Sequence, residues 1–248
     1  MSKILIADAG GTPSEGVINS FLRGRKQETV IGMWSEPADL LRLKWELRLD
    51  NIHYRYPKTE QDGLSGVSLS IRAGEKIGVV GSTGAGKTTL ADLVLGLLRP
   101  QQGCTLVDDR EVTEGCIRAW QQTVGYVPQD IFLTDASIAE NIALRVPPDE
   151  IDREQVRRAA TVAQIDGFVM RELAQGYDTL IGERGVRLSG GQRQRIGIAR
   201  ALYHEADLIV FDEATSALDN LTEREVMAAG KPCPATRRLS WWRTGSAP

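Results

Sequence analysis

Residues 46–57 (ELRLDNIHYRYP) alternate apolar and polar side chains, the period of a half-buried strand. Residues 66–81 (GVSLSIRAGEKIGVVG) continue as two strands around a Gly-Glu turn, the second almost wholly apolar. At Gly81 the period lengthens, and residues 87–100 (KTTLADLVLGLLRP) read as a helix ending at Pro100. Strands resume in CTLVDD (104–109) and TVGYVPQ (123–129). From Ile138 to Gln175, SIAENIALRV and REQVRRAATVAQIDGFVMRELA carry the spacing of amphipathic helices, so a helical insert interrupts an α/β core. GGQRQRIGIARALYHE (190–205) predicts a further helix, and DLIVFDEA (207–214) returns to a buried strand.

Two stretches fall outside this rhythm. Residues 1–40 read as a βαβ-like unit: strand KILIADA, turn GGTPSEG, helix GVINSFLRG, strand ETVIGMW. The segment WSEPADLLRLKW then makes a joint, so the chain has two beginnings. At the other end GKPCPATRRLSWWRTGSAP (230–248) shows no clean period. The domains expected are therefore 1–40, 46–229 and an aberrant tail, 230–248. Neither an internal repeat nor a low-complexity tract is present.

Composition narrows the function classes. The 248 residues are 42% hydrophobic and 25% charged, ordinary for a globular protein. A net charge of -3 gives no basic field for a nucleic-acid backbone, and no polybasic run addresses a lipid surface. Three cysteines (Cys104, Cys116, Cys233) without CxxC spacing argue against a zinc site or a disulfide framework and fit a reducing cytosol. No apolar run approaches the ~20 residues that span a bilayer. Any membrane part is expected on another chain, or lost.

GSTGAGKT, Gly81 to Thr88, matches GxxxxGK[ST] between an apolar strand and a helix, the context that gives this pattern meaning. Glycines let the backbone curl so that successive N–H groups face phosphate oxygens, and the helix dipole adds positive potential. The expected ATP-binding residues are Gly81, Ser82, Thr83, Gly84, Ala85, Gly86, Lys87, Thr88 and Thr89. Among them Lys87 reaches the β- and γ-phosphates and the Thr88 hydroxyl takes Mg²⁺. A buried strand ending in acids should complete the metal site, and residues 207–213 (DLIVFDE) supply it. Asp212 would hold the Mg²⁺ shell and Glu213 would polarise the attacking water as general base.

With LSGGQ (Leu188, Ser189, Gly190, Gly191, Gln192) and VFDEATSALD added, residues 47–219 resemble the nucleotide-binding domain of an ATP-binding cassette (ABC) transporter. The resemblance implies an α/β fold: a P-loop NTPase core with a helical subdomain. It implies that LSGGQ contacts the γ-phosphate held by a second such domain in a head-to-tail dimer, with Asp219 communicating across it. Tyr56 resembles the aromatic that stacks on adenine and Tyr54 is a second candidate; either can equally be a strand-face tyrosine. Gln129 resembles the glutamine that senses Mg²⁺, giving Thr88, Gln129 and Asp212 as the metal set and Glu213, Lys87 and Gln129 as the catalytic one. GERG (182–185) and the spacing of YVPQDIFLTDASIAENI are similar to exporter-type members. The expected place is the cytoplasmic face of a membrane, through a transmembrane partner. A cassette ATPase acting on DNA or ribosomes is disfavoured by GERG and by the acidic balance. Residues 1–40 resemble, over few positions and no catalytic ones, the amino-terminal segment of ATP-grasp ligases.

The same resemblance implies a further buried strand after SALD, ending in a histidine that touches the γ-phosphate. Only His53 and His204 exist, and neither is in that position, so the carboxy-terminal core strands are expected to be missing and turnover weak. Shifted to the third base of each codon, the tail can spell ALSGDKTVVMVAHRLST, a strand with such a histidine. A frameshift near codon 230 is therefore expected, with a hydrolysis-defective ATP-binding remnant as the alternative function.

Overall fold

The computed structural model describes residues 3–6, 40–82, 84–182, 186–212 and 240–245. A five-stranded parallel sheet forms the centre, in the order β1 (Lys3–Ile6), β4 (Lys76–Val80), β11 (Ser240–Gly245), β10 (Leu208–Phe211) and β7 (Val124–Val127). Beside it lies an antiparallel sheet ordered β3 (Leu64–Arg72), β2 (Glu46–Tyr54), β5 (Gln102–Val107), β6 (Arg110–Glu111). A short pair, β8 (Ala136–Ser137) and β9 (Leu180–Ile181), braces the helical insert.

β10 divides the core. Its side chains alternate faces as a strand requires: Leu208 and Val210 join one apolar cluster, Ile209 and Phe211 the other. On the first face packs helix α1 (Lys87–Val94), through Leu90, Leu93 and Val94, together with β2 and β3. Trp120, on α2 (Ile117–Gln121), is wholly buried there and donates its Nε1–H to the Val94 carbonyl at 2.7 Å. On the second face pack the insert helices α3 (Ile138–Ile142), α4 (Arg153–Val162) and α5 (Asp166–Glu172), and the long α6 (Gly190–Tyr203).

Two expectations need correction. The helix expected to reach Pro100 stops at Val94, because Gly96 takes a positive φ of 68° and the chain closes with a tighter Gly96 N–H to Leu93 carbonyl bond. The carboxy-terminal core strand expected to be missing has its place filled: Ser240–Gly245 lies parallel between β4 and β10, Trp242 in register with Ile77 and Val210. The cause is backbone chemistry. Two buried strands left facing each other carry unpaired N–H and C=O groups, and aromatic and threonine residues accept an extended conformation there.

The first strand expected in the amino-terminal unit is β1, at the edge of the core sheet with Lys3 registered with Ile77 and Ile6 with Val80. The rest of that unit, residues 7–39, lies outside the described residues. The joint before β2 is also packed down. Leu41 and Leu43 are buried, Arg42 pairs with Asp207 at 3.3 Å, and the Asp108 carboxylate accepts the N–H groups of Lys44, Trp45 and Glu46. Among the described residues no helix is long and apolar enough to cross a membrane.

Candidate functional site

In a parallel sheet all strands end at one edge, and ligands bind outside that edge. Here β4 runs into Gly81 and β10 into Asp212. Arg243, on the strand between them, is in register with both Gly78 and Phe211, so the loop and the acid leave the same end of the sheet with one strand between them.

The loop is shaped by its surroundings as much as by its own sequence. Gly86 caps α1 in the left-handed region (φ 79°), and a Cβ there would stand 2.5 Å from the Gly63 carbonyl oxygen and 2.8 Å from Leu64 Cδ2. Only glycine fits without backbone movement. Ala85 is buried, and the Lys87 ammonium donates to the Gly81 and Ser82 carbonyls, each at 2.8 Å, so its charge sits over the loop mouth. Thr88 is exposed at the helix start while Thr89 is buried. The Thr89 hydroxyl and the Tyr56 hydroxyl share a 3.1 Å hydrogen bond. Tyr56 is half-buried and meets Tyr54 edge to face at 5.0 Å, whereas Tyr54 is buried on β2. Of the two tyrosines, Tyr56 is the one attached to the helix that opens the loop.

Asp212 is tied to β7 twice, its N–H to the Val127 carbonyl at 3.2 Å and its Oδ2 to the Tyr126 hydroxyl at 3.3 Å. Asp92, on α1, faces the same region. Burial pushes its carboxyl up to about 6, and the Asp212 charge adds to the shift. A loop that only glycine can form, an ammonium, a hydroxyl and two carboxylates near each other suit a polyphosphate with a hard divalent cation. Gln129 lies just past β7 and is exposed. Thr83, Glu213 and Asp219 lie outside the described residues. Tyr126 and Asp92 were not singled out by sequence. Their relevance depends on cross-strand register and on which way α1 faces, neither of which is a local signal.

LSGGQ stands on the other face. Leu188 is buried in the cluster under the helical insert, and Ser189 and Gly190 are exposed. Ser189 Oγ accepts the Gln192 N–H at 3.2 Å and Gln192 Oε1 accepts the Ser189 N–H at 2.8 Å, a capping box that starts α6. α1 and α6 pack on opposite faces of β10, so the structure does not bring LSGGQ to its own loop. The Arg200 guanidinium, also on α6, donates to the carbonyls of Asn141 and Phe132, fixing the segment after Gln129 in which Phe132 is 73% exposed. The two histidines are elsewhere: His53 on β2 bonds Asn51 at 3.3 Å, and His204 caps α6 against the Leu144 carbonyl at 2.9 Å.

The ABC transporter family model matches residues 64–216. An ATP-dependent lipid A-core flippase of Chromohalobacter salexigens is 42% identical over 209 residues, covering 82% of this chain and 36% of that protein. The chloroplastic ABC transporter B family member 29 of Arabidopsis thaliana is 41% identical over 194 residues, 78% of this chain and 30% of its own. The solved structure of a bacterial Atm1-family ABC exporter with ATP bound aligns at a TM-score of 0.74 and 32% identity, over 93% of this chain and 39% of that one. The chain spans about a third of the length of these curated relatives.

Proposed function

The chain belongs to the ABC transporter family as an exporter-type nucleotide-binding domain, and from that membership we propose that it binds Mg-ATP at the carboxyl edge of its parallel sheet and hydrolyses it to power export or flipping by a membrane transporter. The observation that carries this reading is that a loop closed by Gly86 and the Asp212 carboxylate both stand at the carboxyl end of one parallel sheet.

Loop N–H groups and the start of α1 attract the phosphates, and Lys87 exchanges its two carbonyl contacts for phosphate oxygens. Tyr56 offers its ring to the adenine. Thr88, Gln129 and Asp212 would hold Mg²⁺, which when bound neutralises phosphate charge during in-line attack by water. Glu213 takes the proton from that water. A second copy, or a like domain, supplies Leu188 to Gln192 and Asp219 from its own chain, which the opposite placement of α6 and α1 in this one supports. A transmembrane partner sets the cargo, and the exposed Phe132 segment is the part of the surface we assign to it.

A fluorescent ATP analogue in Mg²⁺, followed by single-turnover hydrolysis, tests the reading. The unaltered chain should bind saturably and turn over, and Glu213→Gln should keep binding while turnover falls by at least a hundredfold. No saturable binding by the unaltered chain overturns it.

One observation favours a slower variant of the same function. The strand slot beside β4 holds SWWRTG, without a histidine, and both histidines of the chain lie away from the sheet edge. The shifted-frame strand VVMVAH would run from the last base of the Arg238 codon into the Thr244 codon, overlapping most of β11. We therefore retain the frameshift as a proposal. Reading the coding DNA from codon 225 onward decides it, and a shifted frame that does not spell this strand sinks it.

A further inference from the structure

Tyr126 lies on β7 directly across from Val210 of β10, two positions before Asp212. Residues two apart on a strand share a face, and such diagonal neighbours are within reach of an aromatic side chain. The ring packs against the cluster that carries α1, and its hydroxyl meets Asp212 Oδ2 at 3.3 Å. With the Asp212 N–H held by the Val127 carbonyl, both backbone and side chain of the acid take their position from β7.

We propose that Tyr126 is a positioning residue that aims the Asp212 carboxylate at the cation of Mg-ATP, coupling the strand that leads to Gln129 to the metal site. The inference rests on the function proposed above. Facing a carboxylate oxygen the phenol is the donor, since an ionised carboxylate only accepts. A donor on one carboxylate oxygen fixes the plane of the group. Partners of metal-holding groups act in this way, and their loss commonly weakens metal binding ten- to a hundredfold.

The test is Tyr126→Phe, which keeps the packed ring and removes one hydroxyl. Affinity for a fluorescent ATP analogue is measured in excess EDTA and across a Mg²⁺ titration, with thermal midpoints as a check on folding. The expected result is unchanged affinity in EDTA with about a tenfold loss of apparent Mg²⁺ affinity. In an Asp212→Asn background the same change should cost nothing further, since the two substitutions remove one interaction. Equal losses in EDTA and Mg²⁺, or losses that add to those of Asp212→Asn, make Tyr126 a packing residue and overturn the proposal. If the unaltered chain binds nucleotide without any Mg²⁺ dependence, the function and this inference fall together. If it shows the dependence and Tyr126→Phe matches it, only the inference falls.

Discussion

The chain has two glycine-rich turns that open helices, GSTGAGKT before α1 and LSGGQ before α6, and they are built for different surroundings. The first is enclosed by its own chain. Gly86 sits under the Gly63 carbonyl, Ala85 and Thr89 are buried, and Lys87 bonds back onto the loop. The second is open. A Cβ on Gly190 would meet no atom within 4 Å, and Ser189 and Gly190 are exposed. Both present helix N-termini, with their unpaired N–H groups and positive potential. An enclosed turn has its ligand geometry fixed when the chain folds, whereas an open one has everything but the surface that would cover it. This supports reading the first as a site for the chain's own nucleotide and the second as a contribution to a partner's.

If enclosure is what distinguishes them, adding one methyl to the first turn should be severe. Gly86→Ala combines a left-handed backbone, costing about 1–2 kcal/mol for an L-residue, with overpacking against a carbonyl, commonly about 1–3 kcal/mol. A loss of about 3 kcal/mol is expected, lowering the thermal midpoint by roughly 6–12 °C in a domain of this size. Nucleotide binding should vanish even well below the new midpoint, because the loop must open to admit the methyl. A variant that melts normally and binds ATP would show that the turn is not enclosed as described.

How much of this was legible in sequence follows the same division between local and distant causes. The loop, Lys87 and the Asp212 strand announced themselves through local pattern, since an apolar run feeding a glycine turn has few other solutions. The helical insert was likewise read from periodicity, and α3, α4 and α5 lie inside the span expected. β11 was not legible. SWWRTG has no alternation, and its strand conformation is imposed by β4 and β10, which lie far from it in sequence. Tyr126 was hidden for a related reason: in the sequence it is an ordinary strand aromatic, and only the register with Val210 brings it to Asp212. Glu213, Asp219 and Thr83, read from motif alone, remain expectations outside the described residues.

A smaller effect is expected at the open turn, where a capping box takes the place of enclosure. Ser189→Ala removes the acceptor for the Gln192 N–H, while the return bond from the backbone N–H of position 189 to Gln192 Oε1 is retained. Loss of such a cap costs about 1 kcal/mol, or roughly 2–4 °C in midpoint. Calorimetry should show that drop with nucleotide affinity unchanged in the isolated chain, because α1 and α6 pack against different clusters. A matching loss of affinity would mean that the two turns are coupled within one chain, and the contrast between them would fail.

The smallest change in stability is expected at Gly190, which makes it the most discriminating position. Its backbone lies outside the left-handed region and an added methyl points into open space. Alanine there restricts the unfolded chain without straining the folded one, an effect worth about 0.4–1 kcal/mol in favour of folding. Gly190→Ala should therefore melt at the same temperature or up to ~4 °C higher and bind ATP normally as an isolated chain. In hydrolysis measured against chain concentration, the unaltered protein should gain specific activity as chains pair, and the variant should not, since its methyl occupies the space through which a partner's phosphate would approach. Equal gains would mean that the open turn is merely a helix start. A loss confined to the paired state would mean that the openness of Gly190, which contributes nothing to the fold, serves a second nucleotide.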